Sequence, residues 1–229
     1  KTALREVVTL KACRWLNQNP PLPLPPPHST HRPARGSTLR DQPPPRMGKS
    51  SPAPPRSRPN ILITGTPGTG KSSLAERVAA AAGFTQYDVS AVAKQEKLCA
   101  EYDEELDTYV IDEDKVLDHM EERVGGGDGG GEGGHVVDYH SCDLFPERWF
   151  DLVVVLTCDN GELYSRLAAR GYSEKKISKN VECEIFQTLV EEARESYAED
   201  VVRICASDSI EDMEANEAAI AEWIAQWKA

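Results

Sequence analysis

Residues 61–73 read Ile61-Leu62-Ile63-Thr64-Gly65-Thr66-Pro67-Gly68-Thr69-Gly70-Lys71-Ser72-Ser73. The first four form a short apolar, β-branched run, as expected of a strand buried on both faces. That run leads without a break into the pattern G-x-x-x-x-G-K-[ST], and residues 74–82 continue with helical composition until Gly83 stops them. An ordinary Gly-rich turn is the bland alternative, but a strand before and a helix after are the context the pattern needs. The spacing has a chemical reason. Glycines let backbone N–H groups converge on phosphate oxygens without Cβ clashes, and the helix N-terminus adds its positive end. Lys71 then supplies a point charge between β- and γ-phosphates, and the Ser72 hydroxyl is a ligand for Mg²⁺.

Outward from this loop, strands and helices alternate. Residues 84–89 predict a second strand, Ser90 a cap, and 91 to about 98 a helix. A further helix is expected over 112–124. His135-Val136-Val137-Asp138 predicts a strand with an acid at its C-terminal end, the position of a Walker B aspartate. Residues 152–157 read as another buried strand followed by a helix over 161–170. A helix over 185–198, a last strand over 201–205 and a final helix opened by Ser209 complete the series. In that last helix Ile220, Trp223, Ile224 and Trp227 fall on one apolar stripe, read as core packing before partner surface. The pattern predicts a doubly wound α/β fold with five parallel strands and a ligand at their C-terminal edge.

The chain has 229 residues and a formal net charge of −12. That length allows one domain, or one domain with a long tail. No apolar run approaches the roughly 18 residues of a membrane span, so no integral membrane protein is expected. The 6 cysteines are scattered without a CxxC pair, which argues against a stapled secreted mini-domain and a zinc ribbon, and for reduced, intracellular thiols.

The charge is unevenly divided. Residues 1–59 hold 14 of the 16 prolines and 11 Lys and Arg against Glu6 and Asp41, a net of +9, whereas 60–229 carry −21. Stretches such as 20–27 (Pro-Pro-Leu-Pro-Leu-Pro-Pro-Pro) cannot form helix interiors or central strands. Disorder with polyproline II character is therefore expected over 15–59, with the folded domain at 60–229. The tail reads in three ways: a transit peptide, a basic arm for RNA or a Pro-rich ligand, or a segment outside the mature protein, with a start at Met47. Residues 125–134 (Gly-Gly-Gly-Asp-Gly-Gly-Gly-Glu-Gly-Gly) read as a flexible linker with no chemistry, because two acids and no Lys exclude a phosphate loop.

Several strings resemble the adenylate kinase isoenzyme 6 family, also called coilin-interacting nuclear ATPases. They are the phosphate loop, Asp138-Tyr139-His140-Ser141-Cys142-Asp143-Leu144-Phe145-Pro146-Glu147-Arg148-Trp149-Phe150, Arg170-Gly171-Tyr172-Ser173-Glu174-Lys175-Lys176 and Cys183-Glu184-Ile185-Phe186-Gln187. The resemblance spans about 60 to 229. It implies a P-loop nucleoside monophosphate kinase fold with an NMP-binding segment near 88–111 and a lid near 169–179. It also implies ATP and Mg²⁺ as cofactors, transfer of phosphate to AMP or dAMP, and ATPase activity. Nuclear and cytoplasmic roles are implied too, with a small-subunit ribosomal protein and the pre-ribosome as partners.

Carried over by position, Gly68, Gly70, Lys71, Ser72 and Ser73 hold ATP phosphates, Arg170 contacts the nucleotide, and Asp138 and His140 belong to the Walker B region. Ser72, and Asp138 through water, would hold the metal. Each has a plainer reading. Arg170 ends a helix, where a cation favours the dipole anyway, and Arg166 one turn earlier reads as a solvated charge. His140 is either a hydrogen-bonded strand-end residue or a group that orients water. Where the family shows Leu-Ala-Arg-Glu-Glu, this chain has Val92-Ala93-Lys94-Gln95-Glu96. Lys94 keeps the charge for a monophosphate but loses the bidentate fork. Residues 102–114 place seven acids beside that segment, a solvated face or a docking site for a basic protein tail. Two functions follow: a monophosphate kinase, or an assembly factor whose slow ATP hydrolysis times release of a ribosomal component. Direct nucleic-acid binding by so acidic a domain is not expected.

Overall fold

The computed structural model describes residues 56–104, 108–126 and 131–228. Expectations for residues 1–55, including Met47, for Glu105, Leu106 and Asp107 of the acidic run, and for 127–130 of the glycine stretch lie outside them. In chain order the elements are β1 (Ile61–Gly65), α1 (Lys71–Ala82), β2 (Thr85–Asp88), α2 (Val89–Gln95), β3 (Cys99–Asp103), β4 (Thr108–Ile111) and α3 (Glu113–Met120). A π-helical turn (Glu121–Gly125) extends α3. Then come β5 (His135–Asp138), β6 (Leu152–Thr157), α4 (Asn160–Ala169), α5 (Glu174–Ile185), α6 (Thr188–Ser196), β7 (Val202–Ala206) and α7 (Ile210–Gln226).

Five strands pair in the order β2-β5-β1-β6-β7, all in parallel, as the sequence predicts. β1 is central, and Ile61, Leu62 and Ile63 are fully buried. The strand's two-residue period sends them to opposite layers. Leu62 packs with Met120, Val137, Val153, Leu189 and Ala193 on one face. Ile61 and Ile63 pack with Leu74, Ala75 and Val78 of α1 and Ile220 of α7 on the other. Truncating a residue such as Leu74, at 0 % exposure, costs about 2–5 kcal/mol by lost transfer energy and cavity formation. Ile63 lies opposite both Asp138 and Val154; β5 ends at that level while β1 and β6 run on to Gly65 and Thr157, and all three release their loops at the same C-terminal edge of the sheet.

Local chemistry moves several expected boundaries. Asp88, not Ser90, caps α2: its extended backbone ends β2, and its Oδ1 accepts the Ala91 N–H at 2.9 Å. The helix expected over 185–198 is α6 and starts later, at Thr188, because a separate helix, α5, runs up to Ile185 and Gln187 turns left-handed at φ 52° between them. The antiparallel ribbon β3–β4 was not anticipated.

The largest correction concerns the tail boundary at residue 59. Arg56 is buried; it pairs with Asp151 at 3.1 Å and donates to the Arg148 carbonyl. The Arg58 N–H bonds Glu132 O at 3.1 Å, and the Gly134 N–H bonds Pro59 O at 3.1 Å. A Cβ on Gly133 (φ 73°) would lie 1.9 Å from Arg58 O. Residues 56–59 thus belong to the folded domain, and part of the glycine stretch is their seat.

Candidate active site

The phosphate loop leaves β1 at the common strand edge. Gly68 has φ 101°, and a Cβ there would sit 2.9 Å from Leu163 and 3.0 Å from Leu167, so only glycine lets the loop lie against α4. Gly70 is the left-handed N-cap of α1 and makes no side-chain cap bond; the first turn holds no acid, so the helix presents bare N–H groups and an uncompensated positive end. The Thr66 carbonyl is the hub of the loop. It accepts from Thr69 N at 3.2 Å, Thr69 Oγ1 at 2.9 Å and Lys71 Nζ at 3.2 Å. Lys71 is buried, while Ser72 and Ser73 are exposed.

On one side of the loop lies a small cavity of about 40 Å³, walled by Lys71, Ser72, Asp88, Ser90, Asp138 and His140. Strand register puts Asp88 and Asp138 side by side. Asp138 and His140 are 4 % and 6 % exposed. Burial pushes the His140 imidazole down to about 3, with the Lys71 charge adding to the effect. His140 is therefore neutral at physiological pH. A serine hydroxyl and two carboxylates make an oxygen donor set that fits a hard cation such as Mg²⁺. The structure thus brings Lys71, Ser72, Asp138 and His140 together. Lys94 lies elsewhere, half-buried in the last turn of α2, where its charge acts on the Cys99 thiol against the upward push of burial.

On the other side is an open cleft of about 470 Å³, with Gly68, Gly70, Arg166, Arg170, Ser207 and Met213 in its wall. Arg170 is the exposed C-cap of α4. Arg166 is more than a solvated charge. It donates to the Ser207 carbonyl at 2.8 Å and the Asp208 carbonyl at 2.6 Å, and Ser207 Oγ donates to the Thr69 carbonyl at 2.7 Å. One arginine thereby fixes the cleft wall and, through it, the phosphate loop.

Two acids to which the sequence pattern gives no role, buried Glu184 and half-buried Glu192, also shape the site. Glu184 Oε2 accepts from Thr66 Oγ1 at 2.5 Å, and its Oε1 accepts the Cys158 N–H at 2.8 Å. Glu192 Oε1 accepts the Cys142 and Asp143 N–H groups at 2.7 and 3.1 Å, setting the loop after His140. Burial, reinforced by nearby Asp143, holds the Glu192 carboxyl above its usual range. No local signal marks either residue, since their partners lie far away in sequence.

A family model described as an AAA domain matches residues 61–187. The adenylate kinase isoenzyme 6 homolog of Caenorhabditis elegans is 54% identical over 173 residues, covering 76% of this chain and 93% of that protein. The homolog of Drosophila melanogaster is 47% identical over 174 residues, covering 76% of this chain and 96% of that protein. Among solved structures, a shikimate kinase from Bacteroides thetaiotaomicron aligns with a TM-score of 0.49 and 15% identity, over 72% of this chain and 98% of that chain. On its relatives, and with the phosphate loop set on a five-stranded parallel sheet, the chain belongs to the adenylate kinase isoenzyme 6 family of P-loop nucleotide kinases and has the nucleoside monophosphate kinase fold.

Proposed function

We propose that the protein transfers the γ-phosphoryl group of ATP to AMP or dAMP and hydrolyses ATP slowly at the same site. The observation that carries this reading is the convergence of Lys71, Ser72, Asp138 and His140 on one cavity at the mouth of the phosphate loop. The triphosphate lies along the loop N–H groups, with Lys71 on the β- and γ-oxygens and Arg170 over the nucleotide from the cleft side. Ser72, and Asp138 through water, would hold Mg²⁺, which would supply charge neutralisation. Phosphoryl transfer needs positioning and charge stabilisation more than a strong base. A histidine held near 3 is too weak a base to take a proton at neutral pH, so in hydrolysis His140 accepts a hydrogen bond from the attacking water, whereas the monophosphate oxygen that attacks in the kinase reaction needs no base. In this reading residues 88–111, with Lys94, form the monophosphate-binding segment and 169–179 the lid.

A second reading, an ATPase that times an assembly step, is favoured by the cavity itself. Asp88 and Asp138 in its wall oppose a second phosphate. The partner would be a basic small-subunit ribosomal protein within the pre-ribosome, in the nucleus or cytoplasm. The acidic run beside the β3–β4 ribbon, whose exposed Tyr102 and Tyr109 rings meet edge-on at 4.9 Å, is its proposed seat. Neutralising Asp103, Glu104, Asp112, Glu113 and Asp114 together weakens that binding; unchanged affinity refutes it.

Product analysis from Mg-ATP, with and without AMP or dAMP, separates the two. Rapid ADP formation that requires the monophosphate establishes the kinase. Slow phosphate release indifferent to AMP and raised by a basic ribosomal protein establishes the timing ATPase. Absence of ATP turnover under both conditions contradicts both.

A further inference from the structure

Glu184 sits near the end of α5 with 5 % of its surface exposed, in a place where an apolar residue would be less costly. Both of its oxygens are engaged. One holds the Thr66 hydroxyl, the other the Cys158 N–H just past the end of β6. The Thr66 carbonyl, in turn, holds the Lys71 ammonium. The carboxylate therefore reaches the phosphate-binding lysine through one residue, Thr66. Burial raises its pKa first; the Thr66 and Cys158 hydrogen bonds and the Lys71 charge oppose that, and Asp208 adds to the rise. The groups facing it come from four places: the phosphate loop, the start of α1, the end of β6 and the loop after β7.

We propose that Glu184 is a positioning residue for phosphate binding: by fixing Thr66 it sets the direction of the loop and of the Lys71 side chain before ATP arrives. The proposal rests on the assignment of ATP to this loop made above. Once the carboxylate acceptor is lost, the buried Thr66 hydroxyl is without that partner, and only the Thr69 bonds to its carbonyl hold the loop's direction. The carbonyl then fixes Lys71 less firmly, and the loop N–H groups lose part of their common aim. Ordering them again on ATP binding lowers affinity, since preorganisation is what the free loop otherwise supplies.

The test is a double-mutant cycle on the full chain, reading the Kd for ATP in Glu184→Gln, Thr66→Val and the double variant, with Lys71→Ala as reference. Each single variant weakens ATP binding about tenfold, and the double variant is no more than about twofold worse than either, because both act on the same contact: a Gln amide has one oxygen for the two donors, Thr66 Oγ1 and the Cys158 N–H, that the carboxylate serves. Wild-type affinity in Glu184→Gln overturns the proposal, as does a double variant in which the losses multiply to about a hundredfold, the mark of two independent structural defects. If Glu184→Gln does not fold, Thr66→Val decides from the loop side: a tenfold loss supports the role and wild-type affinity refutes it. The underlying ATP-site reading fails separately. It is contradicted by a wild-type chain that does not bind ATP, or by Lys71→Ala binding and turning over ATP as wild type does.

Discussion

The two sides of the phosphate loop differ in almost every respect that matters for chemistry. Toward α4 the loop borders an open cleft of about 470 Å³ whose charged wall residues include Arg166 and Arg170. Toward β5 it borders a smaller cavity of about 40 Å³ walled by Asp88, Asp138 and neutral His140. The cleft has the size and charge to hold a nucleotide, and the cavity has room for the oxygens that change partners. Lys71 stands between the two. Binding and turnover are thus assigned to different neighbours of one loop, and variants on each side should move different quantities.

The comparison breaks most completely at the shared residue. Lys71→Ala removes the charge on which both sides depend, and kcat for ATP consumption falls roughly 10²–10³-fold, as expected for loss of one preorganised electrostatic partner. Arg166→Met acts from the cleft side. It strips two hydrogen bonds from the Ser207 and Asp208 carbonyls, and the Kd for ATP rises about tenfold with kcat nearly unchanged. His140 sharpens the comparison from the stability side. It stays neutral in the fold down to about 3, whereas in the unfolded chain it protonates near its ordinary 6.5. The unfolded state takes the proton first as pH falls, so this contribution is whole above 6.5 and shrinks toward 3. At pH 5 the loss is about 2 kcal/mol relative to pH 7, from 1.36 kcal/mol per unit. Glu184 and Glu192, held above the usual carboxylate range, act in the opposite sense, so the effect is read as the difference between wild type and His140→Gln in denaturant titrations. The variant shows the flatter acid arm. Lys94→Ala gives the smallest effect: ATP hydrolysis without AMP changes less than about threefold, because a half-buried lysine outside the cavity contributes little to charge at the reacting phosphate.

The parts of this arrangement that sequence carried are those written in neighbouring residues. β1 and its glycine loop, the Asp138 strand and the buried run of β6 each announce themselves by period, composition and punctuation. The β3–β4 ribbon did not, because Cys99-Ala100-Glu101-Tyr102-Asp103 is mostly exposed and has no buried face to impose alternation. Arg56 was hidden in a proline-rich, basic context, and only Asp151, 95 residues away, shows why it is buried. Glu184 likewise meets Thr66 across 118 residues. Asp88 and Ser90 are both good caps two residues apart, and the end of strand pairing with Asp138 decides between them. What escaped the sequence reading is thus the set of long-range polar contacts that hold the loop in place.

The most direct test of divided labour measures ATP Kd and kcat side by side for Arg170→Ala and Asp138→Asn. Arg170→Ala should raise Kd about tenfold while kcat stays within about threefold, and Asp138→Asn should keep Kd within about threefold while kcat falls roughly a hundredfold. Two variants that shift the same quantity by the same factor, or the reverse pattern, would contradict it.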